Sequence, residues 1–247
     1  MRDKANFDVL EGFLSELLQF DVKIEQILES ESNKQSKEDK YNRVDILVRS
    51  NDGELMLVEI QNEAETDYFH RILYGSAKLL TEYIKAGEGY SSIKKVISIS
   101  ILYFQLGKGK DYVYEYEGKF VGRHLKDTLT PNFWQVDKFK IREVSDIFPK
   151  YYILKINNFK NVSKTSFDEW IYFLKNSEIP NNSKAKGLKE ASEKLKIDRL
   201  SEQERKDYQR YQENRWLEKD VKETALRAAT LAGEKKGLIE GKIEGKI

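Results

Sequence analysis

The segment RVDILVRSNDGELMLVEIQ, from Arg43 to Gln61, constrains the fold more tightly than any other part of the chain. It places two apolar runs, rich in branched residues, on either side of Asn51-Asp52-Gly53. A three-residue loop whose glycine is left-handed is a common hairpin solution for such a turn. With that loop Ser50 pairs with Glu54, Leu47 with Leu57, Asp45 with Glu59 and Arg43 with Gln61. Directly opposed residues point to the same side of a sheet with Cβ atoms about 4.5–5.5 Å apart, so Asp45 and Glu59 are expected to meet. A loop one residue shorter or longer would send them to opposite faces. Two carboxylates held that close repel, so one takes up a proton or a cation sits between them. A hard divalent ion such as Mg²⁺ suits an all-oxygen pair. The competing reading makes both acids edge-strand groups, paired with lysines on a solvated face. Against it, residues 54–61 are flanked by segments that would bury them.

Composition narrows the chemistry further. Among 247 residues, 43 Lys and Arg offset 42 Asp and Glu, and a net charge of +1 gives no global field toward nucleic acid or membrane. Any basic surface must be local. Cysteine is absent and histidine occurs only at His70 and His124, which excludes disulfides and thiolate metal sites and leaves a metal only oxygen ligands. The opening MRDKANFDVLEG lacks the apolar core of a signal peptide, and no apolar run approaches the roughly 18–20 residues that span a bilayer. This predicts a cytoplasmic protein with no membrane segment. A helix that opens almost at Asn6 has no earlier element to pack beside it, so the chain is expected to be incomplete at its start.

Periodicity predicts an α/β fold with a mixed sheet. Val9, Leu10, Phe13, Leu14, Leu17 and Leu18 form the core stripe of a first helix over Asn6 to Phe20, with Asn6 or Asp8 as N-cap. A strand is predicted over 22–29, and a polar loop over 30–40. A second helix from Asp67 to Ala86 presents Phe69, Ile72, Leu73, Leu80, Tyr83 and Ile84 on one face. VISISILYF (Val96 to Phe104) reads as a buried strand, with shorter strands around DYVYEYEGKFVG, over Phe139 to Val144 and at YYILKI. Helices follow at FDEWIYFLKN, at KAKGLKEASEKL, and from a capping box at Ser201 to about Ala232. The tail repeats glycine at Gly233, Gly237, Gly241 and Gly245, and the cost of interior helical glycine favours a frayed end over a helix–helix contact.

Asp45 in one strand and Glu59-Ile60-Gln61 at the end of the next resemble the signature of the PD-(D/E)XK nuclease superfamily. More narrowly, the chain resembles its recombination-promoting nucleases, also labelled transposases. DYFHRILYGSAKLL, with Arg71 and Tyr74, is similar to that family's R-x-x-Y helix, and GEGYSSIKKVISISILYF to the strand that follows it. FDEWIYFLKN and the glycine-punctuated tail also resemble its C-terminal part. The resemblance implies a restriction-endonuclease-like mixed β-sheet flanked by helices, followed by a C-terminal helical segment. The expected division is a nuclease-like core at 1–164, a helical region at 165–232 and a flexible tail at 233–247. It also implies Asp45 and Glu59 as ligands of Mg²⁺, with Mn²⁺ as a substitute, and the Ile60 carbonyl as a third ligand. Gln61 stands where the superfamily usually has lysine, and glutamine orients a water without bringing positive charge. Arg71, or less favourably Lys78, would supply that charge; the alternative is that Arg71 and Tyr74 tie the helix to the sheet. Glu11 or Glu16 is a further candidate acidic ligand, the alternative being that either is simply solvated.

The implied activity is metal-dependent DNA endonuclease cleavage of low sequence specificity, with promotion of recombination as its expected role. The alternatives are a catalytically inactive DNA-binding or assembly protein of the same fold, and a transposase. DNA is the expected partner, with seven basic residues against Glu143 and Asp146 between Lys138 and Lys164 as the candidate contact. The C-terminal helices offer a route to a homo-oligomer.

Overall fold

In the computed structural model Gly53 adopts φ +83°, the Ser50 N–H donates to the Glu54 carbonyl at 3.0 Å, and the Gly53 N–H to the Ser50 carbonyl at 2.8 Å. The turn chemistry thereby fixes the register of β2 (Arg43–Ser50) on β3 (Leu55–Gln61), pairing Asp45 with Glu59 and Arg43 with Gln61. The structure describes residues 7–28, 43–83, 89–180 and 182–195, and single positions at 227, 230, 232 and 233; the side chains of Arg43, Val44 and Asp45 are outside the description. So are the N-cap expected at Asn6, the loop over 30–40 and most of the helix from Ser201 and its glycine tail.

The remaining elements are α1 (Phe7–Leu18), β1 (Ile24–Leu28), α2 (Tyr68–Glu82), β4 (Val96–Leu102), β5 (Val113–Tyr116), α3 (Phe133–Phe139), β6 (Lys150–Lys155), α4 (Ser166–Asn176) and α5 (Leu188–Leu195). The six strands form one mixed sheet in the order β1-β2-β3-β4-β6-β5. β3, β4 and β6 run parallel, with β1, β2 and β5 antiparallel to their neighbours. The carboxyl ends of the parallel strands, at Gln61, Leu102 and Lys155, therefore share one edge.

Alternation along β3 divides its side chains between two layers. Met56 and Val58 join Ile46, Val48, Ile97 and Ile99 in the main core, beneath α1 and α4. There Trp170 is fully buried, donates through Nε1 to the Lys186 carbonyl at 3.0 Å and meets Phe13 edge-on at 5.6 Å. Leu55, Leu57, Glu59 and Gln61 face the other way. Leu55 and Leu57 pack with Leu47, Val96 and Leu79, while Tyr68 and Ile72 of α2 pack with Leu102 and Leu106. The result is the expected mixed sheet flanked by helices. By compactness the chain divides into Met1–Ala191 and Ser192–Ile247, and in the second unit the described positions Arg227, Thr230, Ala232 and Gly233 are helical.

Three expectations are corrected. The buried face of α2 is Tyr68, Ile72, Ser76 and Leu79, while Phe69 and Leu73 are 53% and 60% exposed. Ser76 fits that face because its hydroxyl donates back to the Ile72 carbonyl at 3.0 Å. The strand predicted over Phe139 to Val144 does not form. Phe139 ends α3, whose start is fixed by an Asn132–Gln135 capping box and whose end is fixed by left-handed Lys140, φ 55°. The basic run Lys138 to Lys164 is not a single outward patch. Lys155 is 2% exposed and donates to the Gly109 carbonyl at 3.3 Å, and Lys150 pairs with Glu115. No described helix is long and apolar enough to cross a membrane.

Candidate active site at the carboxyl edge of the sheet

Glu59 lies near the end of β3, between Asp45 on β2 and Ser100 on β4, and is 8% exposed. A charged carboxylate at that depth needs partners, and α2 supplies them. The Tyr68 hydroxyl donates to Oε2 of Glu59 at 3.3 Å, and Nη2 of Arg71 approaches Oε1 at 3.4 Å. Burial and then the Glu59 carboxylate push the Tyr68 phenol far above its ordinary pKa, so it remains a hydrogen-bond donor at any physiological pH.

Arg71 is held mainly by a residue of the β3–α2 loop. Its Nη1 donates to both carboxylate oxygens of Glu65, at 2.7 and 2.9 Å. Burial works against the guanidinium charge, but the carboxylates of Glu59 and Glu65 outweigh it and hold Arg71 above its ordinary pKa. The cation is thus shared between two acids and lies over the Tyr68 ring at 5.7 Å. Arg71 therefore joins α2 to the end of β3 through the sheet's own carboxylate.

Gln61, 3% exposed, lies one pleat beyond Glu59 on the same face. Its Nε2 donates to Glu65 Oε1 at 2.9 Å and to the Glu63 carbonyl at 3.3 Å. Both partners are acceptors, which fixes the amide orientation. Its Oε1 is buried without a hydrogen-bond partner among the described residues. An orphaned carbonyl oxygen beside a carboxylate is an acceptor for a cation or for a water proton.

The other residues singled out in the sequence are dispersed. The register brings the backbone of Asp45 opposite Glu59. Ile60 pairs with Val44 and Ile101; since the Gln61 carbonyl accepts from Tyr103 on the β4 side, alternation turns the Ile60 carbonyl toward β2. One lone pair there remains beyond the ladder bond. Tyr74 is 69% exposed, and Lys78 pairs with Glu82 at 3.3 Å. Glu11 accepts from the Ile24 N–H at 2.9 Å and from Lys23 at 3.0 Å, and Glu16 from the Lys186 N–H at 3.0 Å. Both acids brace α1 against neighbouring backbone.

Sequence reasoning missed Tyr68, Glu65 and Ser100. The signal for Tyr68 was its place three residues before Arg71, one helical turn away on a face whose phase had been set by Phe69. Glu65 offered only a carboxylate just ahead of a helix, a pattern too common to single it out.

Among the described residues no group of three or more His, Cys, Asp and Glu side chains could hold a metal. The donor set at this edge is a smaller one, all oxygen: the Glu59 carboxylate, the unsatisfied Gln61 carbonyl oxygen and the position of Asp45. Its chemistry fits a hard divalent cation that keeps several waters. Neither a curated protein nor a solved structure matches the chain. The family described as PD-(D/E)XK nuclease family transposase matches residues 2–225, nearly the whole length. With its sheet, its flanking helices and that match, the chain belongs to the PD-(D/E)XK nuclease family transposases.

Proposed function

We propose that the protein is a metal-dependent DNA endonuclease of low sequence specificity, with Asp45 and Glu59 as ligands of Mg²⁺ or Mn²⁺ and the Ile60 carbonyl as a third. The observation that carries this reading is the pairing of Asp45 with Glu59 at the carboxyl edge, next to a Gln61 oxygen that has no hydrogen-bond partner among the described residues. Bound there, the metal would polarise a scissile phosphate and activate a water. Gln61 would orient that water, its Oε1 accepting a hydrogen bond from it while Nε2 stays anchored on Glu65. Tyr68 holds the second oxygen of Glu59 in place. Arg71, 3.4 Å from Glu59, sets its orientation and brings a positive charge to the edge. DNA is the substrate this chemistry suits, a cytoplasmic location is the proposed setting, and the C-terminal helices are the proposed route to self-association.

A second reading has its own support. Arg71 is already engaged by two carboxylates, so the charge that would stabilise a pentavalent phosphate is largely neutralised. That favours a DNA-binding or assembly protein that keeps the fold without the chemistry. A plasmid-nicking assay separates the two. Cleavage that needs Mg²⁺ or Mn²⁺ and disappears in Asp45→Ala, with DNA binding retained, supports the nuclease; absence of any metal-dependent nicking by the wild type supports the second reading.

A further inference from the structure

Past β6, at the same carboxyl edge of the sheet that carries Glu59, lies a cleft of about 600 Å³. It is lined by Lys110, Lys160 and Lys175 together with Asn157, Asn158 and Asn161, and no carboxylate side chain is among its walls. The nearest acid along the chain, Asp111, turns its carboxylate onto the Tyr112 N–H at 2.7 Å. We propose that this cleft holds the phosphodiester backbone of DNA as the strand leaves the Glu59 site, an inference that rests on the nuclease reading and names the path of its substrate.

Position is the first argument. In open α/β sheets ligands lie outside the carboxyl ends of the parallel strands. Residues 103–111 follow β4 and residues 156–161 follow β6, so both walls begin at that edge. β6 lies two strands from β3, so two inter-strand spacings set the strand that leads into the cleft roughly 10 Å from the strand that carries Glu59.

The second argument is that the walls are built before any ligand arrives. Asn158 donates to the carbonyls of Gly109 and Asp111 at 3.3 and 2.9 Å and accepts from Gln105 at 2.9 Å. Asn157 donates to the Tyr103 carbonyl at 2.6 Å, and the Lys175 ammonium to the Phe159 carbonyl. Gly109, at φ +147°, runs so close to Tyr114 that a Cβ there would strike its phenol. These contacts hold Lys110 and Lys160 over the opening with both side chains exposed, so little order remains to be imposed when an anion binds.

Charge is the third. Beside the cleft the 2%-exposed Lys155 has, among the described residues, the Gly109 carbonyl and the Tyr114 ring, 5.6 Å away, as side-chain partners. Among the described residues no carboxylate pairs with it. A cleft lined with one sign of charge and backed by low-dielectric walls concentrates its field on an incoming anion. In a protein of net charge +1, such a local excess is where a polyanion is held.

The test is the salt dependence of binding to a short DNA duplex, measured by fluorescence anisotropy without divalent metal. Two double variants are compared, Lys110→Gln with Lys160→Gln in the cleft and Lys119→Gln with Lys189→Gln elsewhere; all four lysines are exposed and both pairs remove the same charge. The cleft pair is expected to lower the slope of log K against log salt by about 1.8, with at least roughly tenfold weaker binding near 0.1 M salt. The other pair should leave the slope nearly unchanged. Equal losses in both pairs, no loss in the cleft pair, or a wild type that does not bind the duplex would each overturn the proposal. Cleavage is not read in this experiment, so a wild type that binds through the cleft and never nicks DNA counts against the nuclease reading alone.

Discussion

Replacing Arg71 with methionine tests whether the cation on α2 is what allows Glu59 to stay charged at its depth. The substitution keeps the apolar stem and removes the guanidinium. It breaks two short bonds to Glu65 at 2.7 and 2.9 Å and a longer one to Glu59 at 3.4 Å. Side-chain exposures of 16% for Arg71, 10% for Glu59 and 25% for Glu65 set the environment between a surface pair and a fully buried one. Breaking a buried pair costs about 3–5 kcal/mol and an exposed pair about 0–1, so we expect about 2–3 kcal/mol. In a unit that ends at Ala191 this corresponds to a fall in Tm of about 5–10 °C. Urea titration followed by tryptophan fluorescence reads it, since Trp170 is fully buried in the main core. Adding Glu59→Gln to Arg71→Met should recover part of the loss, because one of the two carboxylates that faced the guanidinium is gone. A loss below about 0.5 kcal/mol, or a double variant that loses the sum of the two single effects, would refute the reasoning.

The other predictions use the same titration or the nicking assay. Gly53→Ala should destabilise the hairpin by about 1 kcal/mol and Gly53→Asn by clearly less, because φ is +83° there; equal effects would mean that the turn does not need a left-handed residue. Glu169 accepts from the Lys184 and Ala185 N–H groups, both at 2.8 Å, and from the Ser183 hydroxyl; burial opposes its charge, but these donors prevail and hold its pKa below the ordinary 4.5. Its contribution is therefore complete well above pH 4.5 and lost as the pH falls below that value, so the stability curves of wild type and Glu169→Gln should converge in acid and separate by about 1 kcal/mol at neutral pH. Parallel curves would contradict this. Gln61→Lys should raise cleavage, and raise it further with Glu65→Gln, because Glu65 otherwise captures the new ammonium as it now holds the amide; an unchanged rate in both would remove Gln61 from the argument.

What the sequence revealed best was what local chemistry decides. Asn51-Asp52-Gly53 specifies a loop length, loop length specifies register, and register brings Asp45 opposite Glu59 with no tertiary information. The stripe of α1 was equally plain because six apolar residues repeat with the helical period. On α2 the same reasoning failed. Phe69 and Leu73 are apolar yet outward, and the inward positions include Tyr68 and Ser76, whose polar atoms find partners only once the sheet is in place. Phe139 to Val144 alternated like a strand, but the Asn132 cap and a left-handed Lys140 decided the segment as a short helix and a turn. Counting lysines along the chain also misled, because Lys150 and Lys155 turn into the sheet's own neighbours. Arg71 was visible as a candidate, but its tie to Glu65 was not.

The claim on which the proposed chemistry depends is that Asp45 and Glu59 grip one cation together. Titrating Mn²⁺ into the wild type, Asp45→Asn and Glu59→Gln by isothermal calorimetry tests it most directly. We expect a single binding event per chain in the wild type and its loss in each variant. Binding that survives either substitution unchanged would contradict a shared site.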